Sequence, residues 1–188
     1  MKVISLHEEE QHIIALAIQS HRQAQHKIYS KYAGKMLGVC RQYIKDVHQA
    51  EDVMLTAFMK VFVNLKNFEH KGSFEGWIRR IMVNECISFL RVNKKVHFTD
   101  DEMFYEEGFN ATESQLSVED IQFLIDQLPD GYKMVFNLYC IEGYKHHEIA
   151  EMLSISEGTS KSQLSHARRV LQEQIMKLKN YTHGTQTL

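Results

Sequence analysis

Polar and charged side chains able to contact nucleic acid are concentrated in one stretch near the C-terminus, residues 157–169. Lysine and arginine there can reach DNA phosphates or guanine edges, while serine and threonine can hydrogen-bond to either kind of group. If the stretch is helical, these side chains form its exposed face. The candidate DNA-binding residues are Glu157, Gly158, Thr159, Lys161, Ser162, His166, Arg168 and Arg169.

The elements around this stretch have the spacing of a helix-turn-helix. The apolar pattern predicts a first helix over Lys145–Leu153, a tight break at Ser154–Ser156, and a second, DNA-reading helix over Glu157–Leu171. Ser156 is a suitable N-cap because its hydroxyl can accept from an amide in the first turn of the second helix. Taken alone, the spacing also fits a helical hairpin with a solvated polar face, and Ser160 occupies a position that is usually apolar.

The formal net charge of −2 averages over segments of opposite sign. Residues 96–122 contain eight acidic residues and no lysine or arginine, whereas residues 69–95 and 154–179 each carry an excess of basic residues. A polyanionic partner responds to the local field rather than to the sum. Two basic patches separated by an acidic strip can therefore both bind phosphate.

A single proline in 188 residues, together with apolar residues at helical spacing, predicts an all-α fold. The weak periodicity and polar, acidic composition of residues 96–117 predict a flexible linker. We therefore expect two small helical domains, 20–95 and 118–178, of which the second carries the helix-turn-helix. Within the first, Ala50–Phe68 places apolar residues on one broad face, and Ser73 is a candidate N-cap for the following helix.

Composition disfavours several function classes. No apolar stretch approaches the roughly 20 residues of a membrane helix, and the N-terminus lacks the pattern of a secretory signal. The three widely separated cysteines fit reduced thiols rather than a disulfide framework, so we expect a cytoplasmic protein. No metal-ligand motif, phosphate-cradling glycine loop or nucleophile–base spacing is recognisable. We therefore expect no bound metal, no cofactor and no enzymatic activity.

Two further sets of motifs occur in order along the chain. The first half contains Ala50-Glu51-Asp52-Val53, Ala57-Phe58-Met59-Lys60-Val61-Phe62 and Phe74-x-x-Trp77-Ile78-x-Arg80-Ile81. The second half contains Glu148-Ile149-Ala150-Glu151-Met152-Leu153 and Ser156-Glu157-Gly158-Thr159 through Ala167-Arg168-Arg169-Val170-Leu171. In this order and joined by a linker, the two sets resemble the two domains of small bacterial sigma factors of the extracytoplasmic-function type. The resemblance covers roughly residues 20–178.

The resemblance implies an alternative sigma factor, which binds core RNA polymerase and directs promoter-specific transcription initiation. One helix would dock on core RNA polymerase through Glu51, Asp52, Thr56, Met59 and Lys60. The loop Asn67–Gly72 and the next helix would capture an unstacked base of the promoter −10 element through Asn67, Phe68, Lys71, Trp77, Arg79, Arg80 and Asn84. The helix from Glu157 would read the −35 element, and the linker would thread toward the RNA exit path. An anti-sigma factor is a third candidate partner beside core RNA polymerase and promoter DNA.

The chemistry of the −10 candidates suits this role. Unstacking a base costs free energy, and aromatic surfaces and cations that bind the exposed strand offset that cost. The ordinary alternative is that Trp77 is a core residue and that Arg79 and Arg80 are solvated charges. In the second half, Gln163 and His166 stand where the family often has arginine.

Two other function classes stay open at the level of sequence. A helix-turn-helix regulator that binds duplex DNA without polymerase would dimerise on palindromic half-sites. A small nuclease would need acidic residues close to the basic patches, whereas the acidic residues concentrate in the predicted linker. A sigma factor, by contrast, should bind DNA weakly alone and tightly together with core polymerase.

Overall fold

The structure, a computed structural model, describes residues 2–93 and 117–184. Within these residues every regular element is helical and no β-strand occurs, which confirms the predicted all-α class. None of the helices described is long and apolar enough to cross a lipid bilayer. The chain folds as two compact units, Met1–Asn93 and Lys94–Leu188. Residues 96–116 of the predicted linker lie outside the described residues.

The first unit is a set of packed helices, described from residue 2 to residue 93. They are α1 (Lys2–Ile18), α2 (Arg22–Tyr43), α3 (Val47–Asn64), a 3₁₀ turn (Leu65–Asn67) and α4 (Phe74–Asn93). Capping side chains fix two of the helix starts. The Gln49 amide donates to the Asp46 carboxylate at 2.8 Å, and the Gly76 amide donates to the Ser73 hydroxyl at 3.3 Å. The predicted Ser73 cap is thereby confirmed.

The core of the first unit lies where α2, α3 and α4 pack against one another. The apolar face predicted for α3 is buried there through Val53, Ala57, Phe58 and Val61. Helix residues three and four apart share a face, so burial of this stripe fixes which side of α3 meets solvent. The opposite side carries Asp52, Thr56 and Met59, all exposed.

The second unit is described from residue 117 to residue 184. It contains α5 (Val118–Asp126), α6 (Asp130–Phe136) with its π-helical continuation (Asn137–Ile141), α7 (His146–Leu153) and α8 (Glu157–Gly184). Ser117 and Asp120 form a capping box at the start of α5. Pro129 is the N-cap of α6, and its ring disfavours helical backbone at the residue before it, which separates α6 from α5.

Burial of one side of α8 builds the second core. This core contains residues of α5, of the turn after it, of α6 and of α8. They are Leu124, Ile125, Leu128, Tyr132, Ala167, Val170 and Leu171. Burying these α8 residues fixes the rotation of the helix about its axis. Lys161, Ser165 and Arg168 consequently face outward.

The turn between α7 and α8 has the form expected of a helix-turn-helix. Ser154 adopts the left-handed conformation, with φ 57° and ψ 45°, and the Ile155 amide donates to the Ala150 carbonyl at 3.0 Å. The Thr159 amide donates to the Ser156 hydroxyl at 2.9 Å. The predicted cap of the second helix is therefore confirmed. The helices start at His146 and Glu157, within one residue of the predicted starts at Lys145 and Glu157.

A buried ion pair ties α6 to α5 and generates a prediction. Lys133 is 3% exposed, and its ammonium contacts the carboxylate of Asp126, whose side chain is 14% exposed. Asp126→Ala leaves the ammonium buried without this carboxylate, so we expect the free energy of unfolding to fall by about 3–5 kcal/mol. Urea unfolding followed by circular dichroism measures the change.

The matched control for this pair is Glu173→Ala. It removes the exposed partner of Arg169, at 4.0 Å on the surface of α8, and should change the free energy of unfolding by less than about 0.5 kcal/mol. Equal losses for the two variants would contradict the assignment of the Lys133 pair as a buried structural contact.

Candidate nucleic-acid interface

A cationic groove lies along the outward face of α8. Lys161, Arg168 and Arg169 are exposed and line it together with Tyr139 of the π-helical segment and His146 of α7. The groove has a volume of about 380 Å³. The rings of His146 and Tyr139 stack, with centroids 4.6 Å apart and an interplanar angle of 25°. Three basic side chains beside an aromatic wall form a surface suited to phosphate.

The structure brings the predicted DNA-binding residues of α8 onto one half of the helix circumference. Five are exposed, namely Glu157, Gly158, Lys161, Arg168 and Arg169. The other three are half-buried, namely Thr159, Ser162 and His166. Lys161 pairs with Glu157 across the surface at 3.4 Å. Exposed pairs of this kind contribute little to stability, so Lys161 can exchange its partner for a phosphate at low cost.

His166 is less accessible than the sequence predicts. Its ring stacks on Tyr132 of α6, with centroids 5.5 Å apart and an interplanar angle of 16°. Its Nδ1 lies 3.4 Å from Nη2 of Arg169. The ring therefore supports the Arg169 side chain and presents one edge, rather than a free imidazole, to a ligand on this face.

Ser160 and Gln163 face the interior of the unit. Both are buried. The Ser160 hydroxyl is hydrogen-bonded to His146 Nδ1 at 2.9 Å, which explains how a polar side chain occupies a position that is usually apolar. Gln163 packs against Gly131, where an added Cβ would lie 3.3 Å from Gln163 Oε1. Gln163 therefore offers no side chain to a DNA phosphate.

In the first unit, an aromatic cluster anchors the loop that precedes α4. Phe68 is 8% exposed, and its ring centroid lies 5.0 Å from that of Phe74 and 5.5 Å from that of Trp77. His70 joins the cluster at 4.8 Å. Phe68 is a predicted base-stacking residue, but its ring lies inside the unit because the loop folds it back onto α4. Trp77 is half-buried and keeps part of its ring at the surface.

The polar −10 candidates stay at the surface around this cluster. His70 and Gly72 have positive φ values of 56° and 93°, which allow the tight reversal of the chain before α4. The exposed candidates are Asn67, Lys71, Arg80 and Asn84, and Arg79 is half-buried. Spacings of three and four residues put Trp77, Arg80 and Asn84 on one face of α4, whereas Arg79 lies off that face.

The outward face of α3 carries the predicted polymerase-binding residues. Asp52, Thr56, Met59 and Lys60 are exposed, and Glu51 is half-buried. Thr56 Oγ1 donates to the Asp52 carbonyl at 2.9 Å, and Lys60 pairs with Glu85 of α4. These contacts hold the polar side chains against the helix surface and leave the middle of the face open.

An exposed apolar stripe runs through the same face of α3, and of its residues only Met59 is predicted from the sequence. Leu55, Met59 and Val63 are exposed at intervals of four residues, Met59 to 67%. Val92 of α4 is also exposed. The signal that would have found the stripe is a second apolar period on the face opposite the buried one. Exposed apolar patches of this kind mark surfaces that bind a partner.

Comparison with known proteins matches each unit separately. Residues 28–96 match the family model of Sigma-70 region 2, and residues 119–171 match that of Sigma-70, region 4. The ECF RNA polymerase sigma factor SigW of Bacillus subtilis is 30% identical over 161 residues, which cover 78% of this chain and 86% of SigW. The chain belongs to the ECF RNA polymerase sigma factors. SigM of the same organism is 26% identical over 149 residues, covering 77% of this sigma factor and 91% of SigM.

A solved structure shares the fold of this sigma factor. The sigma factor RpoE, in complex with the anti-sigma factor NepR from Bartonella quintana, matches with a TM-score of 0.53 and 21% identity over 80% of this chain and 95% of that chain. A helix-turn-helix regulator that acts without polymerase would account for the match to region 4 alone. The match to both regions therefore favours an alternative sigma factor that directs transcription initiation. Sigma factors are in general non-catalytic initiation factors.

The burial of Phe68 generates a prediction about stability. Phe68→Ala removes a ring packed between Phe74 and Trp77, so we expect the free energy of unfolding of the first unit to fall by about 3 kcal/mol or more. Trp77 is the one tryptophan of the chain, and its fluorescence during urea unfolding therefore reports on this unit.

The control is Lys71→Ala in the same loop, where the side chain is exposed and pairs with Glu69 at 2.6 Å. It should leave the unfolding midpoint almost unchanged. If Phe68→Ala behaved like the lysine variant, Phe68 would be a surface residue and the packing described above would be wrong.

Proposed function

We propose that this sigma factor binds core RNA polymerase in the cytoplasm and directs it to promoters by contacting both the −10 and the −35 elements. The observation that carries the proposal is the occurrence, on one chain, of a cationic face on α8 and an aromatic-anchored loop beside a polar face on α4. A helix-turn-helix alone would read only duplex DNA, whereas opening a promoter also requires a site for the unstacked strand. In this proposal the protein supplies binding surfaces and no catalysis or cofactor of its own.

α8 is the proposed reader of the −35 element in the major groove. Its interface consists of Glu157, Gly158, Thr159, Lys161, Ser162, His166, Arg168 and Arg169. The exposed cations contact phosphates or guanine edges, and the hydroxyls contact either kind of group. The Ser156 cap satisfies an amide of the first turn, which leaves the end of the helix ordered and able to approach DNA. With Gln163 turned inward, sequence selection depends on fewer arginine contacts than the family often has.

The loop before α4 and the adjoining helix face are the proposed site for an unstacked −10 base. Asn67, Lys71, Trp77, Arg80 and Asn84 form the proposed contact surface, and Arg79 borders it beside this face of α4. A flipped base costs a few kcal/mol to unstack, and stacking on an aromatic side chain returns about 1–3 kcal/mol. The half-buried Trp77 supplies the accessible ring in this proposal, and Phe68 supports that ring from below through the 5.5 Å contact.

The outward face of α3 is the proposed docking surface for core RNA polymerase. The family resemblance implies Glu51, Asp52, Thr56, Met59 and Lys60 for this surface, and the exposed Leu55 and Val63 extend it. An apolar centre surrounded by charged residues is the usual composition of a protein–protein interface. Met59 lies in the middle of the stripe and is the proposed anchor.

We further propose domain bounds of 20–95 and 118–178, with residues 96–117 as linker. The linker's acidic residues and its lack of lysine and arginine resemble the charge of a nucleic-acid backbone. Such a segment would occupy a cationic channel of polymerase, toward the RNA exit path, until RNA displaces it. Reversal of the six acidic charges of residues 96–117 should then alter polymerase binding or promoter escape.

An anti-sigma factor is a further proposed partner. The similar RpoE structure holds a sigma factor together with the anti-sigma factor NepR. In this sigma factor, an apolar stripe on α3 that is exposed in the free chain would be covered either by polymerase or by such an inhibitor. The two partners would then exclude one another by competing for Met59 and its neighbours.

The proposal is tested by mixing the purified chain with core RNA polymerase of its own host and measuring co-elution and promoter-dependent transcription. The wild type should co-elute and initiate transcription. Met59→Asp places a charge at the centre of the docking face, so we expect at least a tenfold loss of polymerase affinity. Failure of the wild type in both assays would contradict the proposed function.

Met176→Asp is the matched control for the docking experiment. Met176 is exposed to 63%, almost as much as Met59, but lies on α8 in the other unit. Its substitution should leave co-elution unchanged. Equal losses for both methionine variants would mean that added negative charge, rather than the α3 face, determines polymerase binding.

The proposed phosphate contact of Lys161 predicts a change in salt dependence. Lys161→Ala should weaken binding of the full chain to duplex DNA and lower the slope of log affinity against log salt by about 1. Fluorescence anisotropy at several salt concentrations measures both quantities. Lys45→Ala, which removes an exposed lysine of the first unit, is the control. An unchanged slope in Lys161→Ala would remove Lys161 from the interface.

A further inference from the structure

His146 occupies the wall of the cationic groove and is held there from two sides. Its ring stacks on Tyr139 at 4.6 Å, and its Nδ1 is hydrogen-bonded to the buried Ser160 hydroxyl at 2.9 Å. These contacts fix the plane and direction of the imidazole. Among the described residues, none is hydrogen-bonded to its other ring nitrogen, Nε2.

The charged groups around His146 come mainly from α8. Lys161 and Arg168 are the cations that face it, and Glu157 is the one carboxylate among the described residues that acts on it appreciably. The π-helical segment contributes the phenol ring of Tyr139. Partial burial, followed by the positive charge of Lys161 and then of Arg168, lowers the pKa of His146 below its ordinary value, and Glu157 opposes this shift. In the free protein the neutral imidazole is therefore favoured over the imidazolium.

We infer that His146 is a phosphate-binding residue of the α8 groove, where it takes up a proton when a DNA phosphodiester enters. The inference rests on the proposed role of α8 in binding DNA. A phosphate between Lys161, Arg168 and the imidazole compensates the two cations that disfavour the imidazolium, and it accepts a hydrogen bond from Nε2. The charged ring also keeps its contact with Ser160, because a serine hydroxyl both donates and accepts.

The sign of the pH effect follows from this arrangement. The pKa of His146 is lowered in the free protein and raised by a bound phosphate, so the complex holds more protons than the separate partners. Affinity for duplex DNA therefore increases as the pH falls through the interval between the two pKa values, and levels off on either side of it. Ser160 is a positioning residue in this scheme, since it orients the ring and does not touch DNA.

The experiment measures binding of the full chain to a labelled 20-base-pair duplex by anisotropy, at low salt, between pH 8 and pH 5.5. The ratio of wild-type affinity at pH 5.5 to that at pH 8 should be about three- to tenfold larger than the same ratio for His146→Gln. The glutamine variant keeps a polar group for Ser160 but cannot become charged. Its affinity should differ from that of the wild type less at pH 8 than at pH 5.5, where its salt slope should be lower by about 1.

Two other variants separate this role from a structural one. His147→Gln removes the neighbouring exposed histidine of α7 and should keep the full pH response. Ser160→Ala should reduce the response at least by half without changing the affinity at pH 8. Thermal melting of each variant verifies that α7 and α8 stay folded. A pH response that persists in His146→Gln, or that disappears in His147→Gln, overturns the inference.

Nuclear magnetic resonance of the imidazole carbons distinguishes DNA from a small anion as the source of phosphate. The His146 pKa should rise on addition of the duplex and stay unchanged with inorganic phosphate at the same phosphate concentration. An equal rise with inorganic phosphate would mean a small-anion site and would overturn the inference. Duplex binding without pH dependence overturns the role of His146 alone, whereas absence of any duplex binding overturns the proposed role of α8 as well.

Discussion

Burial of one side of α8 is the constraint on which the second unit depends. Leu164, Ala167 and Val170 hold that side in the core, and every residue then has its direction set by a rotation of about 100° per position. Shifting the buried stripe by one residue would turn Lys161 and Arg168 away from the groove. The proposed DNA-binding face is thus a consequence of core packing, and its cations need no mutual contacts to be aligned.

The first unit uses the same principle on α3, but with an apolar stripe on both sides. The inner stripe around Ala57 is buried by α2 and α4, so the outer stripe through Met59 adds nothing to the fold and leaves apolar surface in water. Such a surface is retained where a partner covers it. The aromatic cluster has a comparable double role, because Phe68 stabilises the loop while Trp77 remains partly accessible.

Helix spacing and the Ser73 and Ser156 caps could be predicted from sequence because each depends on residues within a few positions. The direction of Phe68 could not, since it depends on how the loop folds back onto α4. The same holds for Gln163, whose inward position depends on Gly131 of another helix. The π-helical continuation of α6 also has no local signature. Contacts between distant elements decided the positions of Phe68 and Gln163.

The contact between Ser160 and His146 shows what a polar residue at a helix–helix crossing can do. An apolar side chain at position 160 would contribute more to stability by burial, whereas a hydrogen bond contributes about 1 kcal/mol net. The hydrogen bond, however, fixes the direction of a titratable ring, which dispersion contacts do less specifically. Phosphate contacts set the register of a protein on DNA. For a side chain that contacts phosphate, a fixed direction of the ring therefore matters more than added stability of the fold. Through Ser160, the packing that orients the cations of α8 also orients a titratable ring on α7, so both helices of the motif line one groove.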